Sequence, residues 1–423
     1  MESAAIAASP LIRRPFQRMP IRFANAIGRG LDRLGMQGSL LDPDAACKEA
    51  VLTTGVDDFG DESFREPLKV LLESAQREAH LHPLGRKAIR TQIMRRLVNR
   101  LALQAYWKRS PEALEAQIRR PLFIIGLPRT GTTLLFNLLA RDPAHRWMTF
   151  WEAASPIPPK EVTADQRRQR ATMPIRLLNW MVPEMRSKHV FETDAPEECG
   201  LLMANSLEAE MFCFEIDVPS YRIWLYGRNR LASYRYYKKQ LQLLQHLRPG
   251  ERWLLKLPFH AFNLDALLTV FPDACIVQTH RDLLKALPST CSLQSSYRDL
   301  YAEMVDCRQL GKDTLEQFGR GLDRCLDVRV KAPPGQFYDV HYPKLVADPV
   351  GVIKDMYRHF GLAMNHDVLA RMRSYLASNP KDKHGVHRYS LAAFGLDAEA
   401  VNGRFSRYIE HFRIRPEDAL PAV

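Results

Sequence analysis

The stretch that most constrains this chain runs from Pro121 to Leu139, PLFIIGLPRTGTTLLFNLL. The apolar run Leu122 to Ile125 predicts a buried strand, and Gly126 to Thr130 predict a tight turn that exposes backbone. Thr132 to Ala140 then predict a helix that buries Leu134, Leu135, Leu138 and Leu139. A strand, a glycine loop and a helix start together aim free N–H groups and the positive end of a helix at an anion.

The loop spells Gly-x-x-x-x-Gly-Thr-Thr, one residue away from the Gly-x-x-x-x-Gly-Lys-Ser/Thr loop of ATP-hydrolysing proteins. Thr132 stands where such a loop places the lysine that reaches the β- and γ-phosphates, and the cation here is Arg129. The loop is expected to hold a phosphate without ATPase chemistry.

The chain of 423 residues is long enough for one large domain or two, and its formal charge of +12 favours anionic ligands. No dense Lys/Arg block accompanies that charge, which argues against nucleic acid. The cysteines (Cys47, Cys199, Cys213, Cys275, Cys291, Cys307 and Cys325) form no CxxC and no zinc spacing. Reduced thiols, a cytoplasmic location and no metal are the expectation. No apolar run approaches the roughly 18 residues of a membrane span. The first thirty residues are Arg-rich (Arg13, Arg14, Arg18, Arg22, Arg29). They read as a helical lead-in, with a transit peptide or a membrane-surface segment as the alternatives.

Helical spacing recurs through Asp61–Ala79 and Arg86–Trp107, so residues 1–115 are expected to be helices packed on the main domain. Residues 155–250 form an insert, helical by pattern and rich in Met and aromatics (Met173, Trp180, Met181, Met185, Met203, Met211, Phe212, Phe214). Most of these belong to a helical core, and a minority to an apolar acceptor pocket. Further strands are predicted at Arg252–Leu257, Ala274–Thr279 and Phe337–Tyr342. The last leads into a helix with Asp348 as N-cap, Pro349 at its first position and Gly361 at its end. The class is therefore α/β, three αβα layers around a central, mostly parallel sheet with N-terminal helices and a helical insert. Its ligand is expected beyond the carboxyl ends of the strands, where Arg129, Lys256 and Arg281 fall.

Three separated motifs carry a resemblance to the sulfotransferases that use 3′-phosphoadenosine 5′-phosphosulfate (PAPS). Pro128-Arg-Thr-Gly-Thr-Thr133 resembles their 5′-phosphosulfate loop, and Ile276 to Ser289 resembles their 3′-phosphate motif. Tyr338 to Gly361 is similar to their later strand–helix unit. The resemblance covers about 120–395 and places the sulfotransferase domain at 116–395, with a C-terminal tail at 396–423. It implies that Arg129, Thr130, Gly131, Thr132 and Thr133 hold the phosphosulfate, and that Arg281 and Ser289 hold the 3′-phosphate. It implies Lys256 at the sulfuryl or bridging oxygen, and, more loosely, Lys381, Lys383 and Arg388 in a late basic loop over the 3′-phosphate. The general base is left between Glu152, in the region of the tyrosylprotein sulfotransferase glutamate, and His260, two residues beyond the usual histidine position, which is Pro258 here.

The bottom-up chemistry agrees, since such a donor needs two anion sites joined by one nucleotide and the chain offers two. The expected acceptor is a lipophilic small molecule or amphiphile, with peripheral membrane contact left open. The rival enzyme is a P-loop kinase or NTPase, which lacks its lysine at Thr132. A non-catalytic nucleotide-binding module would keep Arg281 and the loop but need neither Lys256 nor a base. His280-Arg281-Asp282-Leu283 and Asp58-Phe59-Gly60 mimic protein-kinase signatures in reversed order and read as coincidence.

Overall fold

Alternate residues of the first sheet strand point to opposite sides, and this sets the layers. In β1 (Leu122–Gly126) every residue is buried. Leu122 and Ile124 enter a core with Leu135, Leu138, Ile353 and Met356, whereas Phe123 and Ile125 enter a second, larger core. A strand with a period of two and apolar residues on both faces must be covered on both sides.

This computed structural model describes residues 12–15, 17–34, 42–157, 163–182, 185, 192–380 and 389–417. The remaining central strands are β2 (His145–Arg146), β3 (Arg252–Lys256), β4 (Cys275–His280) and β5 (Phe337–His341). The sheet order is β2-β3-β1-β4-β5 and each neighbouring pair is parallel. Its four longer strands follow the predicted segments within a residue or two, and β2, only two residues long, has no counterpart among them. The register places Ile124 opposite Lys256 and Gly126 opposite Thr279, so the functional ends of β3, β1 and β4 lie side by side.

Eight helices matter most here: α1 (Met19–Arg33), α2 (Pro83–Arg109), α3 (Thr132–Leu139), α4 (Ala164–Met181), α5 (Leu231–Leu247), α6 (Leu283–Asp299), α7 (Cys307–Arg329) and α8 (Pro349–Phe360). The first face of the sheet is covered by α3 and α8. Asp348 caps α8 by accepting from the Gly351 amide at 2.8 Å, Pro349 opens it, and Gly361 closes it with φ 64°. The opposite face is covered by α2, α5, α6 and α7, whose apolar residues share one core. Within that core Arg100 of α2 is buried between the rings of Phe64 and Tyr236 and donates to the carbonyls of Phe59 and Asp61. Its charge is thus spent locally and is unavailable to a ligand.

Two regions differ from expectation. Ile12–Arg13 pairs antiparallel with Val305–Asp306, a short strand in a region read as wholly helical. The stretch 396–423, read as a tail, carries helices Ala398–Arg404 and Ser406–Phe412 with Val401, Phe405, Tyr408 and Phe412 buried against the core. Tyr408 and His280 Nδ1 are 2.7 Å apart, and the Phe412 ring stacks on that imidazole at 4.1 Å. His280 Nε2 meets Asp339 at 2.8 Å, so the end of β4 is held on three sides. All seven cysteines are free and buried. Burial pushes the thiols of Cys199, Cys213, Cys291 and Cys325 up to about 12. Among the described residues no helix is long and apolar enough to cross a membrane.

If the C-terminal helices belong to the core, Phe405→Ala should cost about 3–5 kcal/mol in urea unfolding. A loss below about 1 kcal/mol, the range of surface substitutions, would show the segment to be dispensable.

Candidate active site

The phosphate loop begins where β1 runs out of room. Gly126 has φ 138° and presses on β4, where an added Cβ would sit 2.6 Å from Thr279 Oγ1 and 2.7 Å from its carbonyl oxygen. The chain then turns through Arg129, left-handed at φ 69°, and Gly131 at φ 93°, and enters α3. A left-handed arginine costs on the order of 1 kcal/mol and implies that the surroundings hold it there. They do: its carbonyl accepts from Arg281 Nη1 at 2.9 Å, and its Nε donates to Ser289 Oγ at 3.0 Å. The Thr130 hydroxyl faces inward, 2.6 Å from both the Leu127 carbonyl and Thr279 Oγ1, so it braces the turn. Gly131, Thr132 and Thr133 line the cavity described below.

The segment Ile276 to Ser289, which resembles a 3′-phosphate motif, is joined to this loop directly. Arg281 is the first residue after β4 and lies over the Tyr342 ring at 4.0 Å. Its Nε and Nη2 donate to the two carboxylate oxygens of Glu417 at 2.6 and 3.1 Å. This is the paired geometry in which a guanidinium takes a phosphate. Ser289, on α6, is buried behind Arg129. Burial lowers the pKa of Arg129 from its ordinary value, and the charge of Arg281 acts in the same direction. Lys381, Lys383 and Arg388 lie outside the described residues, although Asn379 and Pro380 just before them line the cavity.

Lys256 ends β3 and is only 3% exposed. Its Nζ donates to Thr133 Oγ1 at 3.1 Å and pairs with the Glu198 carboxylate. The segment carrying Glu198 is pinned by the Thr149–Pro196 bridge, by Glu197 N donating to Met148 O (2.8 Å), and by Cys199 N donating to Lys256 O (3.0 Å). Two adjacent carboxylates thus lie near the lysine, one of them in contact with it, and their environments diverge. Glu198 has the ammonium as its partner. The neighbouring Glu197 is raised to about 8, first by burial and then by the charge of Glu198. At neutral pH Glu197 holds its proton.

The two candidates for the base are placed elsewhere, and neither lines the cavity. Glu152 closes a capping box with Thr149, its carboxylate accepting the Thr149 amide at 2.9 Å. It also pairs with Arg146 at 2.9 Å and Arg248 at 3.0 Å. Burial alone would raise its pKa, but Arg146, the Thr149 amide and Arg248 together hold it below the usual range. Such a carboxylate is a structural counter-ion and a poor proton acceptor. His260 is fully buried, 2.7 Å from the Tyr234 hydroxyl and edge-on to Phe123. Burial pushes its pKa down to about 3. Sequence reasoning missed Glu197 and Glu198, because only the tertiary bridge to Met148 and Lys256 brings them to the site.

A cavity of about 1910 Å³ links these groups. One end is formed by Arg129, Thr133, Lys256, Arg281 and Tyr342. The other is apolar, with Ile175, Leu178 and Met181 of α4 facing Met211, Phe214 and Leu293. Of the Met and aromatic residues in the insert, Met181, Met203, Met211 and Phe214 line it, Met185 and Phe212 are core, and Met173 and Trp180 are exposed. The arrangement can neutralise two anionic groups at one end and seat an apolar molecule at the other.

The pattern that defines the Sulfotransferase family matches residues 121–366. The omega-hydroxy-beta-dihydromenaquinone-9 sulfotransferase Stf3 of Mycobacterium bovis is 28% identical over 326 residues, 72% of this chain and 79% of that protein. Sulfotransferase STF1 of Mycobacterium tuberculosis is 36% identical, superposes with a TM-score of 0.77, and aligns with 88% of this chain and all of its own. Sulfotransferase STF9 of Mycobacterium avium is 30% identical with a TM-score of 0.81, over 89% of this chain and 98% of its own.

A carboxyl that is held neutral when folded but ionises when unfolded weakens the native state as pH rises from its unfolded to its folded pKa. Glu197→Gln should therefore gain stability over the parent as pH climbs from the ordinary carboxylate range to about 8, then hold that gain. Melting temperatures of the two proteins measured across this range would test it; a pH-independent difference contradicts the placement of Glu197.

Proposed function

The chain belongs to the sulfotransferase family, and from that premise we propose that it moves a sulfuryl group from PAPS to a hydroxyl of a lipophilic small molecule or amphiphile. The observation that carries the reading is one continuous cavity, cationic at the strand ends and apolar beneath α4. The name of the relative Stf3, which specifies a hydroxylated menaquinone, supports an acceptor of this class.

The residues present fit the donor. The Glu417 carboxylate, held on two guanidinium nitrogens of Arg281, stands in for the oxygens of a 3′-phosphate. Arg281, braced on Tyr342, would hold that phosphate, with Ser289 completing the site. The amides that open α3 and the Arg129 side chain would hold the 5′ group. When bound, the donor supplies a sulfuryl group on a phosphate leaving group.

Transfer of that group needs positioning and neutralisation of charge on the departing oxygens more than covalent help from the protein. Lys256, beside Thr133 at the loop, is assigned to the bridging oxygen. We assign the base to Glu198, which lines the cavity and pairs with Lys256 beside the loop. Glu197 next to it keeps its proton and is suited to donate a hydrogen bond. Glu152 is assigned a structural role in place of the catalytic one.

Lys256→Ala should lower kcat by about 10²–10³-fold. Its affinity for 3′-phosphoadenosine 5′-phosphate should stay within a few-fold, whereas Arg281→Ala should weaken that ligand by about tenfold or more. Glu198→Gln should lower kcat by about 10²–10⁴-fold and also lower the melting temperature, because the buried Lys256 loses its counter-charge. Glu152→Gln should chiefly lower the melting temperature. A thermal shift with ATP·Mg²⁺ and none with 3′-phosphoadenosine 5′-phosphate would reverse the assignment of the donor.

A further inference from the structure

Surface helices of globular proteins turn their apolar side inward. Helix α1 does the opposite. Met19, Phe23, Ile27 and Leu31 repeat every fourth residue on its outer side, with Phe23 69% and Ile27 51% exposed. Its inner side is small or polar and is fastened to α2. Asn25 is buried and accepts the Leu84 amide at 3.0 Å, Asp32 pairs with Arg86 at 2.6 Å, and Gly28 lies against Pro83. These contacts fix which side faces out, so the exposed stripe is an anchored surface. Arg22 and Arg33 flank it, both exposed, and the one acidic residue of the helix is Asp32, already paired inward.

A second stripe continues the first. On α4, Met173, Leu177 and Trp180 are exposed, Met173 by 74%, and the guanidinium of Arg18 lies 5.2 Å from the Trp180 ring. The same helix turns Ile175, Leu178 and Met181 into the cavity, and Leu177 reaches both its rim and the outer surface. Helix α4 thus carries apolar side chains both to the exposed stripe and to the lining of the site, with Leu177 shared by the two. Ile21 of α1 also lines that cavity.

We propose that α1 and the outer stripe of α4 form a docking surface for an anionic lipid bilayer, placed at the mouth of the cavity. An apolar stripe flanked by arginines is the combination that sits at the headgroup boundary: the side chains enter the acyl region while the guanidinium groups meet lipid phosphates. A second protein copy would satisfy the stripe but not the arginines, which would then face their own kind across a two-fold axis. The passage of an acceptor from bilayer to cavity rests on the lipophilic-acceptor reading; adsorption to the bilayer does not.

The test is flotation of the full chain with vesicles of phosphatidylcholine alone and with equal parts phosphatidylcholine and phosphatidylglycerol, alongside light scattering for mass. The parent should float with the anionic vesicles, far less with the neutral ones, and be released by high salt. The double substitution Phe23→Ser with Ile27→Ser, and separately Met173→Ser with Trp180→Ser, should each reduce flotation at least about tenfold. Both should keep the parent's thermal shift with 3′-phosphoadenosine 5′-phosphate, which reports a folded donor site independently. A parent that stays unbound to anionic vesicles overturns the proposal, as do two substituted proteins that float unchanged. A parent dimer that the substitutions convert to monomer with no effect on vesicles assigns the surface to self-association instead.

Discussion

Parallel register is the constraint from which the rest of this structure follows. Because β3, β1 and β4 run side by side in the same direction, Lys256, Gly126 and Arg281 finish at one edge of the sheet. The close contact of Gly126 with Thr279 locks the loop to its neighbour strand at that edge. With Arg129 of the loop, Lys256 and Arg281 then crowd a partly dry region, which is costly unless each finds counter-charge or hydrogen bonds. Glu198, Ser289 and Glu417 meet that need, and each comes from a different part of the chain. The elements outside the sheet are arranged to deliver them.

Glu417 shows how far this reaches. It is presented by the C-terminal segment, whose Tyr408 and Phe412 clasp His280, the residue before Arg281. The same segment thus stiffens the end of β4 and occupies its guanidinium. Stiffness there would favour the proposed phosphate binding, since an arginine already fixed on Tyr342 has little freedom left to lose.

Much of this was legible in the sequence, for physical reasons that also explain the gaps. The four longer strands announce themselves as apolar runs, and the phosphate loop by glycines at positions needing positive φ. Helix α8 was readable from Asp348, Pro349 and Gly361 because caps are local chemistry. Glu198 was not, since no local pattern says that a loop will bridge to Met148 and Lys256. Glu152 had a local explanation in plain sight: Thr149-x-x-Glu152 is a capping-box spacing. The family resemblance drew attention to Glu152, which the structure places in that capping box and between Arg146 and Arg248. Similarly, Val401, Phe405, Tyr408 and Phe412 are spaced as one apolar helical face, so the final segment carried its own sign of being packed.

None of the seven cysteines lines the cavity, yet their placement has a consequence for the lifetime of the protein. Each thiol is hidden, and four are held so far from ionising that almost no thiolate exists near neutral pH. Oxidants and alkylating agents react with thiolates they can reach. The folded chain offers few, so its chemical ageing is tied to how often it opens. Seven sulfurs spread from residue 47 to residue 325 then act as a clock, advancing only in the moments when the core is exposed.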